Sequence, residues 1–247
     1  MATVYPTPPT FALPVIVNEQ SGDNQFNPIW LQWFLQLAQF LSSSSAGRLR
    51  DFIPVVASGI YVASNGTNNV LVMAWGGGGG GGASASTLTG QVSVGGGGGA
   101  GAFAMQLFTT NFNNLPFTIG AGGLSGGDGG ASTFSTLSAG GGKAGISGTA
   151  VTAPTFTLGG AGGTAGGLIV GHAAAGLAGI SLGTSAVMSG QGASALWGQG
   201  GLPVGAGIGS NAVGYAAGGS GGASPPSSGS ASGGLGGGGL GLIMELS

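Results

Sequence analysis

The chain has 247 residues, 61 of them glycine; 42% are hydrophobic, only 3% are charged, and the formal net charge is -2. Three basic residues, Arg48, Arg50 and Lys143, form no patch for phosphates, which excludes nucleic acid as a partner. With no cysteine there are no disulfides or thiolate metal sites, and no run of ~18 apolar residues is present to insert into a bilayer.

A flexible Gly/Ser linker is polar throughout. Here Leu, Ile, Val, Phe and Trp interrupt the glycines, which predicts a folded, side-chain-poor body with closely packed backbone. No strict Gly-X-Y register persists, so it is not collagen. So little charge protects poorly against association, and the chain is expected to work inside an assembly.

Residues 1–26 read as an extended arm. Pro6, Pro8, Pro9 and Pro14 oppose helix, and no basic segment precedes them to make a signal peptide. Val15, Ile16 and Val17 form a short apolar anchor, expected to lie along a neighbour. Residues 27–47 read as a helix and its serine linker. Asn27 suits the N-cap and Pro28 the first turn. Trp30, Trp33, Phe34, Leu37 and Leu41 follow at spacings of three and four as one apolar stripe. Leu31, Leu35, Ala38 and Phe40 widen it to most of the circumference. Such a helix must be buried, and self-association as a homotrimer is expected, the other outcome being packing on the chain's own body.

Residues 48–247 read as a glycine-rich β domain. Arg48 to Asp51, the one charge cluster, reads as a turn. Residues 55–57, 60–62 and 70–75 read as strands, with Asn65-Gly66 as a hairpin signal between the last two. The third strand, Val-Leu-Val-Met-Ala-Trp, runs into seven consecutive glycines, 76–82. Either that run is slack or other backbone packs tightly on it. Residues 88–94, 102–110, 116–119 and 131–137 read as further strands, and a second glycine run fills 95–99. From 139 to 239 short apolar pieces alternate with glycine, predicting extended polyglycine-II-like segments joined by loops. Residues 242–246 form a closing strand expected to pair near Val70, which favours the ordered alternative. The fold class expected is mainly β with an N-terminal helix: a glycine-rich, β-sandwich-like domain with polyglycine-II-like segments, trimeric as a whole.

Catalytic chemistry has little to work with. His172 is the only histidine, and the five acidic residues, Glu19, Asp23, Asp51, Asp128 and Glu245, are scattered. One carboxylate in the Asp128-Gly-Gly string is too few for calcium. The Gly-x-Gly strings lack the context of a nucleotide site. The sequence therefore reads as non-enzymatic, without cofactor or metal. Trp197, Tyr215 and His172 are candidate contact residues, since aromatic side chains stack on sugars and dominate interfaces. Their alternative role is filling gaps in a side-chain-poor core or a trimer seam.

The order of elements resembles a known family. Ser58-Gly-Ile-Tyr-Val62 precedes Val70-Leu-Val-Met-Ala-Trp-Gly76, two glycine runs and Ala100-Gly-Ala-Phe-Ala104. Phe117-Thr-Ile-Gly-Ala-Gly122, Gly126-Gly-Asp-Gly-Gly-Ala-Ser-Thr-Phe134 and a closing Gly-Leu-Ile-Met-Glu245 follow. This resembles the glycine-rich C-terminal domain of bacteriophage tail fibres and tail-tip adhesins. The stretch Asn27-Pro-Ile-Trp-Leu-Gln-Trp-Phe34 is similar to helices that begin short phage fibre proteins. The resemblance implies a homotrimeric virion protein that attaches the particle to a host-surface glycan or outer-membrane protein. Its N-terminal arm would join other tail or baseplate proteins, and loops between glycine segments would carry recognition. The competing readings are a purely structural virion tail or fibre-shaft component, and a free glycine-rich protein of the ice-binding kind.

Overall fold

The computed structural model describes residues 15–17, 24–26, 32, 48–171 and 173–247. Strands β1 (Val15–Val17) and β2 (Asn24–Phe26) pair antiparallel within the arm that was expected to be extended. The described elements are strands. The helix expected over 27–41 lies outside the described residues apart from Gln32, which is exposed with helical backbone. Trp30, Trp33, Phe34, Leu37 and Leu41 therefore lie outside them as well.

The body opens with β3 (Leu49–Val55), β4 (Gly59–Tyr61) and β5 (Asn69–Trp75). β6 (Gln91–Val94), β7 (Phe103–Phe108) and β8 (Leu115–Thr118) follow. Then come β9 (Ser132–Phe134), β10 (Leu137–Ala139), β11 (Val151–Thr152) and β12 (Thr155–Thr157). Next are β13 (Ala165–Gly166), β14 (Ile169–Gly171), β15 (Gly179–Gly183) and β16 (Ala186–Met188). β17 (Gly198–Gln199), β18 (Val213–Gly214), β19 (Ala223–Ser224) and β20 (Leu240–Leu246) complete the chain.

Two five-stranded sheets, β14-β7-β5-β20-β3 and β13-β10-β9-β8-β4, face one another. Alternation in β5 turns Val70, Val72 and Ala74 into the space between them, where they meet Ile243, Phe108, Phe117, Phe134, Leu137 and Tyr61. Phe134 is fully buried, with the rings of Tyr61, Phe108 and Phe117 at 5.3–5.9 Å. The closing strand pairs with β5 as expected, Ile243 opposite Val72, and with β3 on its other side.

The opposite face of the first sheet is apolar too. Pro54, Leu242, Met73, Met105 and Ile169 form one registered row across all five strands, and Phe52, Met244, Leu71 and Leu107 form the next. None of these nine residues is buried.

Three sequence expectations need correction. Leu49 to Asp51 are strand and not turn, because β20 offers an antiparallel partner that reaches Leu49. Arg50, at the solvent edge, donates to the Asn65 carbonyl at 2.7 Å. The Asn65-Gly66 turn exists, with Gly66 at φ 84°, but its flanking strands join different sheets and make no hairpin. β4 takes β8 as partner while β5 takes β7 and β20. Residues 131–137 hold a chain reversal: β9 and β10 pair across a turn with Ser135 at φ 51°.

Beyond Trp75 the seven glycines are ordered. Gly76, Gly79 and Gly82 donate to the carbonyls of Ala102, Gly99 and Gly96. Gly77 and Gly80 donate to Gly130 and Gly127, and Gly78 and Gly81 to Gly237 and Gly234, all at 2.8–3.0 Å. Partners thus change with a period of three, the repeat of an extended three-residue-per-turn helix. The carbonyls are used in the same rotation. Gly142 and Gly145 donate to Gly77 and Gly80, Gly123 and Gly126 to Gly78 and Gly81, and Gly219 and Gly222 to Gly79 and Gly82. Six backbone stretches therefore surround this one, in the hydrogen-bonding geometry of polyglycine II. Stretches 95–102 and 216–222 are enclosed in the same way, and all three are buried throughout.

Glycine is required because the neighbours are so near. A Cβ on Gly79 would overlap the Lys143 carbonyl, and one on Gly80 the Leu124 carbonyl. Every amide of the three stretches except that of Ala217 donates to a backbone carbonyl, so a lattice almost without side chains is held by backbone hydrogen bonds, each worth roughly 1 kcal/mol net.

Candidate functional site

The pairing registers give the direction of every glycine segment and so divide the connections between two ends of the lattice. Residue 76 leaves β5 and 82 lies remote from it; 95–102 returns antiparallel and enters β7. By the same reckoning, the connections holding β6, β11, β12, β15, β16 and β19 lie at the far end. The two large sheets, together with β17 and β18, lie at the sheet end.

At the far end, β11-β6-β19 and β12-β15-β16 form two small sheets. In the second, Phe156, Ile180 and Met188 stand in one cross-strand row. Leu158 and Leu182 continue the same side two residues on. All five are exposed, Leu182 at 77% and Phe156 at 67%. Between Ile180 and Leu182, Ser181 points inward and is buried, its hydroxyl donating to the Gly183 carbonyl at 3.0 Å. The result is an apolar face on a short sheet anchored to a rigid lattice.

Sequence reading missed these residues. The signal was present in Thr155-Phe-Thr-Leu158 and Gly179-Ile-Ser-Leu182, where large apolar residues alternate with small ones at the strand period. The surrounding glycine texture concealed it.

Trp197 and Tyr215 are brought together, but at the sheet end. β17 pairs with β18, and the Tyr215 amide donates to the Trp197 carbonyl at 2.9 Å. The Trp197 ring stands edge-on to Trp75 at 6.3 Å and is 52% exposed. Beside them a hollow of about 310 Å3 is lined by Trp75, Phe103, Ala173, Ser194, Ala195 and Leu196. His172 lies outside the described residues.

Ionisable groups serve the framework. Glu245 is fully buried and accepts from the Tyr61 hydroxyl at 2.6 Å, the Ser64 amide at 3.1 Å and the Thr67 hydroxyl at 2.9 Å. Burial pushes its carboxyl up, but the hydrogen bonds from Tyr61, Ser64 and Thr67 together outweigh it and hold the group below its ordinary value. Burial, then the bond to Glu245, drives the Tyr61 hydroxyl the other way, well above the usual phenol range. Lys143 donates to Asp128 at 2.8 Å and the Ala144 amide adds 2.9 Å; these bonds lower the Asp128 carboxyl. Among the described residues no three His, Cys, Asp or Glu side chains lie together, and no helix is long and apolar enough to cross a membrane.

Over residues 48–171 and 173–247 the fold is thus a β, glycine-rich one in which a side-chain core and a backbone lattice share strands. The chain belongs to the glycine-rich domain family, whose model matches residues 56–244. No curated protein matches it.

Proposed function

We propose that this chain is a phage tail fibre or receptor-binding protein, carried in the virion, which attaches the particle to a host surface without catalysis. The observation that carries the reading is the separation of the two ends. The chain enters the body at Arg48, beside the sheets, and the exposed row Phe156, Ile180, Met188 sits across the lattice from that entry. A body fixed to a tail by residues 1–47 would present this row outward. The partner would be a cell-surface glycan or an outer-membrane protein, and the row's apolar character favours the protein. Trp197 and Tyr215 form a second exposed aromatic site, nearer the tail. The N-terminal arm would bind tail or baseplate proteins. The stripe Trp30, Trp33, Phe34, Leu37 and Leu41 would join three copies, multiplying weak contacts into avidity.

The test is adsorption. The purified chain should bind host cells and block infection, and Leu182→Asp should reduce that binding at least tenfold with stability within about 0.5 kcal/mol of the parent. A chain that is present in the tail yet does not bind cells would establish the purely structural reading instead.

A further inference from the structure

The outer face of the sheet β14-β7-β5-β20-β3 is a sheet surface without polar residues in its two central rows, and Met73, Met105 and Met244 lie at its middle. Sheets of this kind bury such a face against another layer. Within this chain, the candidate cover is adjacent in sequence. Residues 27–41 are apolar around about two thirds of a helical circumference at 3.6 residues per turn, more than one helix–helix seam covers. Leu31, Leu35 and Ala38 form a stripe beside that of Trp30, Trp33, Phe34, Leu37 and Leu41.

We infer that residues 27–41 of the same chain seat on this outer face, with Leu31, Leu35 and Ala38 against Met73, Met105 and Met244. The dimensions agree. Fifteen helical residues span about 22 Å, and the seven-residue strands β5 and β20 about 23 Å. Residues 42–47 reach at most ~20 Å, and they lead directly into β3, an edge strand of this sheet. Arg48 lies at the end of β3 remote from the lattice, since Leu49 pairs with Leu246 and Val55 with Gly241. A helix ending there runs antiparallel to β3 and starts at the lattice end, beside Trp75 and Phe103. Methionine suits the seat, being flexible enough to fill against aliphatic side chains. The stripe Trp30, Trp33, Phe34, Leu37 and Leu41 stays free for other copies, so the seat does not depend on the attachment reading.

The cysteine-free chain makes the test direct. In the full chain, Leu35→Cys with Met73→Cys, treated with a short bis-maleimide, should cross-link within one chain. A mixture of isotopically light and heavy copies distinguishes own-chain from between-chain products. Links between copies only, or no more linking than in a Leu35→Cys, Leu182→Cys control, would overturn the inference. Independently, Met73→Glu with Met105→Glu should speed amide exchange across 27–41 at least tenfold while Gly79 and Gly98 stay protected. Unchanged exchange in 27–41 would also overturn it. Neither readout involves host cells, so failure here leaves the adsorption result standing.

Discussion

The sandwich and the lattice are two ways to build an interior from one chain. Between the sheets, Phe134 and its neighbours exclude water by filling space with side chains, which hold the two backbones apart. In the lattice, stretches 76–82, 95–102 and 216–222 exclude water by bringing backbone onto backbone, and hydrogen bonds run in six directions from each stretch. A side-chain core gives when an atom is removed or added, since rotamers adjust. A backbone lattice has no rotamers, so it tolerates no added atom at its contacts. The difference shows that a chain with 42% hydrophobic residues can still rest much of its structure on groups that carry no sequence information.

Substitutions sharpen the contrast, beginning with the most severe. Gly79→Ala adds one methyl where the Lys143 carbonyl already stands. It is expected to remove more than about 4 kcal/mol and to leave little folded protein by thermal unfolding. Gly229→Ala, with open space around it, serves as the control and should stay within about 0.5 kcal/mol. A stable Gly79→Ala chain would show that the lattice does accept an added atom. Phe134→Ala removes a ring from the sandwich and should cost about 3–5 kcal/mol in denaturant unfolding. Lattice amides such as Gly98 should lose protection only with global unfolding. The smallest effect belongs to Glu245→Gln, about 1–3 kcal/mol at neutral pH from the loss of charge-assisted bonds. The sign of its pH dependence follows from the lowered carboxyl. The folded state favours the ionised form, so the contribution is complete above the ordinary value of 4.5 and fades as pH falls through the folded value. The parent should lose stability in that acid window, and Glu245→Gln should lose less, measured as urea midpoints from pH 7 to pH 3.

Much of the sandwich could be read in the sequence. Residues 70–75 carry the β-formers and the lack of charge of a buried strand, and 242–246 the apolar run that pairs with it. The extended character of the glycine segments also followed from composition. What could not be read was partnership. A glycine has no side chain to say whether Gly79 meets Gly99 or Gly127, and only the assembled lattice decides. For the same reason, the ends to which Trp197 and Phe156 belong stayed hidden, because each depends on the direction of every earlier segment. Glu245 looked isolated, since its partners Tyr61, Ser64 and Thr67 are remote in sequence.

The rotation of partners along 76–82 also sets a rule of length. Deleting one residue there turns every later amide by a third of a turn onto the wrong neighbour, whereas deleting three shortens the stretch by one full turn and restores each amide to its own. Loops at either end obey no such count. Chains of this architecture can therefore change size freely at their tips, but within the glycine stretches only in steps of three.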